Sequence, residues 1–173
     1  MMQVFRCKIC GDPYIGEAAP THCPFCGAPK KYIILAKDYV EPIIKSMSEA
    51  SRKNLEAAVK LEASNSAFYK CASTKALAKK DQIGYAMFKA LSKVEAEHAI
   101  TLAKALGAPR PEMGEESCSA EFPENVASAK QREARATKHY GEFLAAATEP
   151  RLKEIFGALI EVEKTHAELL NSI

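Results

Sequence analysis

The sequence predicts a mainly α-helical protein in which a four-helix bundle follows a small N-terminal metal-knuckle domain. Four segments between residues 48 and 173 carry apolar residues at helical spacing, which predicts four amphipathic helices. The first 36 residues contain two Cys-x-x-Cys motifs, which are typical of a metal site. Two of the helical segments also contain Glu-x-x-His, which places both side chains on one helix face about one turn apart.

Composition narrows the possible classes of protein. Of 173 residues, 47% are hydrophobic and 27% are charged, as in a globular protein without a membrane-spanning helix. The N-terminus lacks the apolar core of a signal peptide, so we expect a cytoplasmic protein. A net charge of +2 with mixed signs gives no reason to expect a nucleic-acid partner. Cys71 and Cys118 lie outside the two motifs, and we expect them to be free thiols.

The two knuckles predict a tetrahedral site of four thiolates. Cys7 and Cys10 form the first knuckle, Cys23 and Cys26 the second, and twelve residues separate them. So short a segment has little core of its own, so the metal would contribute much of its folding energy. A structural zinc ribbon uses the same ligands and spacing, so the metal is either iron or zinc.

Capping and breaking residues divide the chain into a knuckle domain at residues 1 to 36, a linker at 37 to 47, and a bundle at 48 to 173. Pro42 is a plausible first helical residue within the linker, and Ser48 or Ser51 caps the first long helix. The second helix begins after Asp81, and prolines and glycines in residues 107 to 123 exclude a continuous helix there. The third helix is expected from about residue 124 and the fourth from about residue 150. The predicted inward-facing positions are Leu55, Val59, Glu62, Tyr69 and Ala76; Ile83, Met87, Leu91, Val94 or Glu95, His98 and Leu102; Val126, Ala129, Glu133, Ala136, Tyr140 and Leu144; and Leu152, Ile155, Leu159, Val162 or Glu163, His166 and Leu170.

Helix rise places the acidic side chains of the first two helices at one height. If these helices are antiparallel about a turn near Lys79, Glu62 lies 17 residues before the turn, and Glu95 and His98 lie 16 and 19 residues after it. At about 1.5 Å per residue, all three reach the same level.

The same argument selects Glu133 on the third helix. It lies about as far before the turn near residue 148 as Glu163 lies after it, at about 15 residues. Glu124 and Glu142 would lie about 13 Å from that level and are excluded.

A repeat relates the two halves of the bundle. Glu62 is followed seven residues later by Tyr69, and Glu133 is followed seven residues later by Tyr140. This pseudo-twofold pattern suits two metal ions, and the tyrosines are either hydrogen-bonding groups near the metals or ordinary core residues.

Four inward-facing glutamates would be very costly without cations, whereas two divalent ions would cancel their charge. Four glutamates with two histidines form the carboxylate-rich site of ferritin-like di-iron and di-manganese proteins. The six predicted ligands are Glu62, Glu95, His98, Glu133, Glu163 and His166.

Two stretches resemble known families. Residues 23 to 30, CPFCGAPK, resemble the second knuckle of rubredoxin-type domains, and Cys10-Gly11 followed by Tyr14 and Gly16 resembles the first. That resemblance implies one iron held by four thiolates, a one-electron carrier. With the six-ligand bundle, the whole chain resembles a rubrerythrin whose iron–thiolate domain comes first instead of last.

The rubrerythrin resemblance implies roles for several residues. Glu95 and Glu163 would bridge two irons, Glu62 and Glu133 would be terminal ligands, and both tyrosines would hydrogen-bond near the irons. Residues 107 to 123 would cross the length of the bundle. Rubrerythrins usually carry a second carboxylate three residues after the first on the third helix, and this chain has Ala136 there.

The resemblance implies a non-haem di-iron peroxidase that reduces hydrogen peroxide to water in defence against oxidative stress. Electrons would come through the four-cysteine site from a reductase or a rubredoxin-type donor, and the chain would form a homodimer or larger oligomer. Two alternatives remain: a ferritin-like iron-binding or ferroxidase protein with a structural zinc ribbon, and an electron-transfer protein whose bundle metals are structural.

Overall fold

The computed structural model describes residues 1 to 44 and 46 to 173, and it has the predicted mainly α-helical fold. The N-terminal part is a three-stranded antiparallel sheet with strand order β2-β1-β3, which the sequence analysis did not predict. In this sheet Phe5 on the central strand pairs with Tyr14 on one side and Leu35 on the other. The strands are β1 (Gln3–Cys7), β2 (Pro13–Gly16) and β3 (Ile33–Leu35), with 3₁₀ turns at Lys30–Tyr32 and Ala36–Asp38.

Four long helices lie in the rest of the described chain, and their number and approximate limits agree with the prediction. None of the helices in the described ranges is both long enough and apolar enough to cross a membrane. The helices are α1 (Glu49–Ala78), α2 (Gln82–Leu106), α3 (Phe122–Ala146) and α4 (Pro150–Asn171).

Local capping explains where the helices begin and end. The Ser48 hydroxyl accepts a hydrogen bond from the Ser51 backbone N–H (3.1 Å), and the Asp81 carboxylate accepts one from the Gly84 N–H (2.9 Å). Gly107 ends α2 in the left-handed conformation, with φ of 73°. These caps confirm the predicted limits of α1 and α2.

Pro42 does not begin a helix, contrary to the sequence prediction. Residues 39 to 44 have no regular structure, and Lys45, within the predicted linker, lies outside the described residues. The first helix begins after Pro42, at Glu49. Glu149, which precedes α4, holds this start because it accepts hydrogen bonds from the Ser48 N–H (2.7 Å) and the Ser51 hydroxyl (2.6 Å).

The segment between α2 and α3 crosses the length of the bundle, as expected. It leaves α2 at Gly107, at the far end from the α1–α2 turn. It arrives beside that turn, where Lys79 pairs with Glu121 at 2.6 Å and the Phe122 ring lies 5.7 Å from the Phe88 ring. The bundle therefore has one long crossover, which is the ferritin-like connection.

Cys71 and Cys118 form a disulfide, so the expectation of free thiols was wrong for this pair. Their Cα atoms are 5.9 Å apart although 47 residues separate them in sequence. The crossover runs along α1, and this long-range path, which spacing alone does not reveal, brings the two residues together.

The inward-facing prediction fails at Ile83, which is 74% exposed. Its neighbour Gly84 takes the inward position instead, and a Cβ added there would lie 2.8 Å from the Phe122 ring. The first turn of α2 is therefore packed through a residue with no side chain. Val59 and Leu144 are half-buried, and the other predicted apolar positions are buried, except Val94, whose neighbour Glu95 takes the inward place.

The N-terminal sheet packs against α4. Ala158 joins the apolar cluster that contains Phe5 and the four knuckle cysteines. Arg151 donates a hydrogen bond to the Ile9 carbonyl (2.8 Å), and Lys31 pairs with Glu161 at 2.7 Å. A Cβ added at Gly27 would lie 2.8 Å from Cγ1 of Val162, so the second knuckle touches α4 through its glycine.

We expect Gly27→Ala to destabilise the chain more than Gly107→Ala does. Both glycines have positive φ, so each alanine incurs left-handed strain of about 1–2 kcal/mol. Only Gly27 also meets a neighbour, whereas Gly107 has nothing within 4 Å, so Gly27→Ala should cost about 1–3 kcal/mol more through overpacking. Denaturant unfolding measures the difference, and adding Val162→Ala should recover part of it. Equal losses in the two glycine variants would contradict this close contact.

Candidate metal centres

The four knuckle cysteines converge on one point in the N-terminal sheet. All four are buried, and the sulfurs lie 3.7 Å apart for Cys7 and Cys26 and 3.8 Å apart for Cys10 and Cys23. A tetrahedral ion with bonds of about 2.3 Å to sulfur places its ligands about 3.8 Å apart, so the donor set fits such an ion. Hydrogen bonds from the other three thiols, Cys10 foremost, lower the pKa of the Cys7 thiol, and hydrogen bonds within the same cluster, that of Cys23 foremost, raise the pKa of Cys10.

Turn geometry positions these sulfurs. Gly11 and Gly27 follow the second cysteine of each knuckle with φ of 88° and 72°, a conformation that favours glycine. The Ile9 N–H points at the Cys7 sulfur (3.4 Å) and the Asp12 N–H at the Cys10 sulfur (3.5 Å). Backbone donors of this kind stabilise negative charge on the sulfurs.

The six predicted bundle ligands come together from all four helices. Every one is buried, and only His166, at 8%, has any exposed surface. They form two overlapping groups whose potential ligand atoms lie within 4.8 Å of one another. The first group is Glu62, Glu95, His98 and Glu163, and the second is Glu95, Glu133, Glu163 and His166.

Glu95 and Glu163 lie between the two histidines. The Glu95 oxygens are 2.8 Å from Nδ1 of His98 and 3.1 Å from Nδ1 of His166. The Glu163 oxygens are 3.3 Å from each of the same nitrogens. Two ligands at right angles on one ion, each about 2.1 Å from it, lie about 3 Å apart, so these distances suit carboxylates that bridge two ions.

The burial of these groups is consistent with metal binding. Both oxygens of Glu95 and of Glu163, one oxygen of Glu133, and Nδ1 of both histidines are buried without a hydrogen-bond partner. Burial raises the pKa of Glu62 and raises that of Glu133 to about 7, which opposes their charged forms. Cations at this point would satisfy all of these atoms and stabilise the carboxylates. The assignment of the six residues as ligands stays a prediction.

The N-terminal part fixes the tautomer of His98. Its Nε2 lies 2.9 Å from the backbone carbonyl oxygen of Cys26, a fully buried contact between the two parts of the chain. Because a carbonyl can only accept, Nε2 carries the hydrogen, and Nδ1 is left as the metal-binding atom.

The two tyrosines hydrogen-bond across the pseudo-twofold axis. Tyr69 on α1 donates to Glu133 on α3, and Tyr140 on α3 donates to Glu62 on α1. Burial raises the pKa of both phenols, so both remain neutral donors. They are therefore more than apolar core, and a catalytic role for them stays a prediction.

Residues that the height argument excluded lie away from the centre. Glu142 is 56% exposed and lies 3.5 Å from His139, and Glu124 accepts a hydrogen bond from Ser119. His22 is exposed. The groups of potential ligands found among the described residues include none of Glu124, Glu142, His139 and His22.

Comparison with known proteins agrees with this geometry. The rubrerythrin family model matches residues 53–173, which is most of the chain. The chain belongs to the rubrerythrin family. The model of the rubrerythrin rubredoxin-like domain matches residues 5–33, which confirms the predicted order with the rubredoxin-like domain first.

One curated relative is named a reverse rubrerythrin. The chain is 31% identical to reverse rubrerythrin-1 of Clostridium acetobutylicum, over 61% of this chain and 63% of the relative. The chain thus spans less than two thirds of the length of this relative. Membership of this family supports iron binding and a ferritin-like di-iron fold. Proteins of the family are generally oxidoreductases.

Sequence reasoning missed three groups around the bundle site. The Cys26 carbonyl could not be found from spacing, because its contact with His98 depends on how the sheet packs against the bundle. Asn65 donates a hydrogen bond to Glu62 and accepts one from Arg132, and no sequence motif indicates either contact. Asn65 lies three residues after Glu62 on the same helix, and that spacing is the signal that could have found it.

We expect Glu133→Ala or His166→Ala to lower the metal content of the bundle and leave the thiolate-bound metal in place. Each removes a ligand atom from one of the two groups, whereas the four-cysteine site is separate. Glu142→Ala is the matched control on α3, because its exposed carboxylate reaches only His139. Metal analysis of the purified variants measures the outcome. A loss of bundle metal in the Glu142 variant with none in the Glu133 variant would overturn the assignment on α3.

Proposed function

We propose that this chain reduces hydrogen peroxide to water at the bundle site, as part of a defence against oxidative stress. The reaction joins one peroxide with two electrons and two protons to give two molecules of water. Two iron ions, when bound, would supply the two electrons together from one site. The observation that carries the proposal is the 2.9 Å contact between His98 and the Cys26 carbonyl.

That contact supports a path for single electrons. Cys26 supplies both a thiolate of the N-terminal site and, through its own backbone, the carbonyl that His98 binds. Apart from covalent bonds, the path from sulfur to imidazole crosses one hydrogen bond. A protein whose N-terminal metal were only structural would use this contact to orient His98 but not to carry electrons. We therefore assign iron to the four-cysteine site, with a reductase or a rubredoxin-type protein as the external donor.

The burial of the site favours a small, uncharged oxidant. Five of the six proposed ligands have no exposed surface, and His166 alone reaches the exterior at 8%. Peroxide would approach from the His166 side, opposite the electron input at His98. Tyr69 and Tyr140, both neutral donors, hold the terminal carboxylates in place.

The alternative is an iron-binding or ferroxidase protein with a structural zinc ribbon. The distances between the sulfurs suit zinc as well as iron, since both ions bind four thiolates in a tetrahedron. Iron oxidation for storage requires no input of electrons, however, so the Cys26–His98 contact would then serve only to orient His98. Manganese in the bundle and a homodimer or larger oligomer are compatible with either function.

Tyr69→Phe and Tyr140→Phe should each slow peroxide turnover by about 10- to 100-fold while the bundle keeps its metal. Each change removes a hydroxyl that donates to a carboxylate and retains the ring, so packing barely changes. Stopped-flow rates with peroxide, beside iron content, measure both quantities. Rates equal to the parent in both variants would return the tyrosines to a purely structural role.

Cys10→Ser or Cys26→Ser should abolish steady-state turnover but preserve one round of chemistry. A serine hydroxyl is a poor ligand where a soft thiolate is needed, so the N-terminal site loses its iron. If the variant is first reduced with a small chemical reductant, added peroxide should still oxidise its bundle site in a single burst. It should then stall when a protein reductase is the only donor.

Single-turnover absorbance and multiple-turnover peroxide consumption, compared between variant and parent, test this division of labour. Gly107→Ala serves as a control for non-specific loss of stability, because it strains the backbone but its Cβ meets no atom within 4 Å. A variant that turns over as fast as the parent with the protein donor would make the N-terminal site structural. The ferroxidase function would then be preferred.

A further inference from the structure

The pseudo-twofold repeat breaks down at one pair of positions. Three residues after Glu62 on α1 the chain has Asn65, and three residues after Glu133 on α3 it has Ala136. Both residues are fully buried. Glu62 and Glu133 each accept a hydrogen bond from a tyrosine hydroxyl. Glu62 also accepts one from Asn65, whereas the other oxygen of Glu133 has no hydrogen-bond partner. The two proposed metal positions are therefore supported differently.

The orientation of the Asn65 amide follows from its partners. Arg132 on α3 places Nη1 3.2 Å from Oδ1 of Asn65, and a guanidinium can only donate. The amide oxygen must therefore face Arg132, and Nδ2 faces Glu62 Oε2 at 3.3 Å. Arg132 thus determines which end of the amide meets the carboxylate.

Arg132 is itself held by several groups. Its Nη1 donates to the Ser64 hydroxyl (3.1 Å), its Nη2 lies 3.5 Å from Glu116 Oε2, and its guanidinium lies 4.3 Å above the Phe68 ring. The Ser64 hydroxyl donates to the other Glu116 oxygen at 2.6 Å. The side chain of Arg132 is only 16% exposed, so these contacts leave it little freedom.

Glu116 belongs to the crossover segment, which is joined to both α1 and α3 just after this residue. Two residues further on, Cys118 is bonded to Cys71 of α1. Asn125, buried in the first turn of α3, accepts from the Ser119 N–H (2.9 Å) and donates to the Ser119 carbonyl (3.0 Å). The disulfide and Asn125 therefore hold the segment where Glu116 can reach Arg132.

We propose that Asn65 and Arg132 are positioning residues that orient Glu62 for one of the two metal ions, with the Cys71–Cys118 disulfide holding the segment that supports them. The other ion, on the Glu133 side, has no such support, so the two ions are bound unequally. This inference rests on the assignment of Glu62 as a ligand, which is part of the proposed function. It does not depend on peroxide as the substrate.

Competition between the full chain and a chelator for Fe²⁺, without oxygen or peroxide, tests the proposal. Asn65→Ala should weaken the binding of one bundle ion by about 10- to 100-fold and change the other by less than about threefold. Arg132→Met should weaken the same ion, and Arg132→Lys, which keeps the charge without the planar fork, should lie between Met and the parent. Arg135→Met, an exposed position three residues along α3, is the matched control and should leave both ions unchanged.

Two milder variants keep the proposal testable if Asn65→Ala fails to fold. Glu116→Gln leaves the core intact and should weaken the same ion by a few fold, because Arg132 loses its charged partner. The double variant Cys71→Ser with Cys118→Ser should act in the same direction through the loosened crossover. Thiol titration confirms that the parent carries the disulfide.

Equal weakening of both ions by Asn65→Ala, or no weakening of either, would overturn the positioning role. An unchanged affinity in the double cysteine variant would overturn the part assigned to the disulfide. Because no peroxide is present, failure of the peroxidase proposal leaves this result unaffected. Loss of both bundle ions in Glu62→Ala and normal binding in Asn65→Ala would show that Glu62 is oriented by other groups.

Discussion

Burial of four carboxylates at the centre of the bundle is the constraint on which most of the structure depends. Glu62, Glu95, Glu133 and Glu163 have no exposed surface, and unpaired charges there would cost more than the packing of a domain this size could offset. The tyrosine hydroxyls and one amide hydrogen-bond to three of the eight oxygens. Cations would satisfy the remaining oxygens, so we expect metal binding and bundle stability to be coupled.

The contact between the N-terminal sheet and α4 links that buried centre to the four-cysteine site. The ion pair of Lys31 with Glu161 is largely exposed and contributes little to this contact. Apolar packing of Ala158 and the close approach of Gly27 to Val162 matter more, because they fix the Cys26 carbonyl beside His98. One packing arrangement thus sets both the tautomer of a proposed metal ligand and the distance between the two metal sites.

Local patterns predicted the helices and the convergence of the six acidic and histidine side chains, because helix rise and capping depend on residues close in sequence. The prediction failed where distant segments meet. The Cys71–Cys118 disulfide depends on the path of the crossover, and the exposure of Ile83 depends on a ring from α3. Contacts between the sheet and the bundle have no periodic signal, so the partner of His98 could not be found from sequence.

Ala136 changes the charge balance of the bundle site relative to the pattern usual in the family. A second carboxylate there would make five negative charges around two cations, whereas the four present balance two divalent ions. A neutral buried site costs less to desolvate than one with a net charge. Ala136 is packed among apolar side chains with no exposed surface, and its methyl group offers no ligand atom. Asn65, its counterpart on α1, adds a hydrogen bond without adding charge. With the proposed ligands, the chain would thus support one side of the site by orientation and keep the ligands at four negative charges.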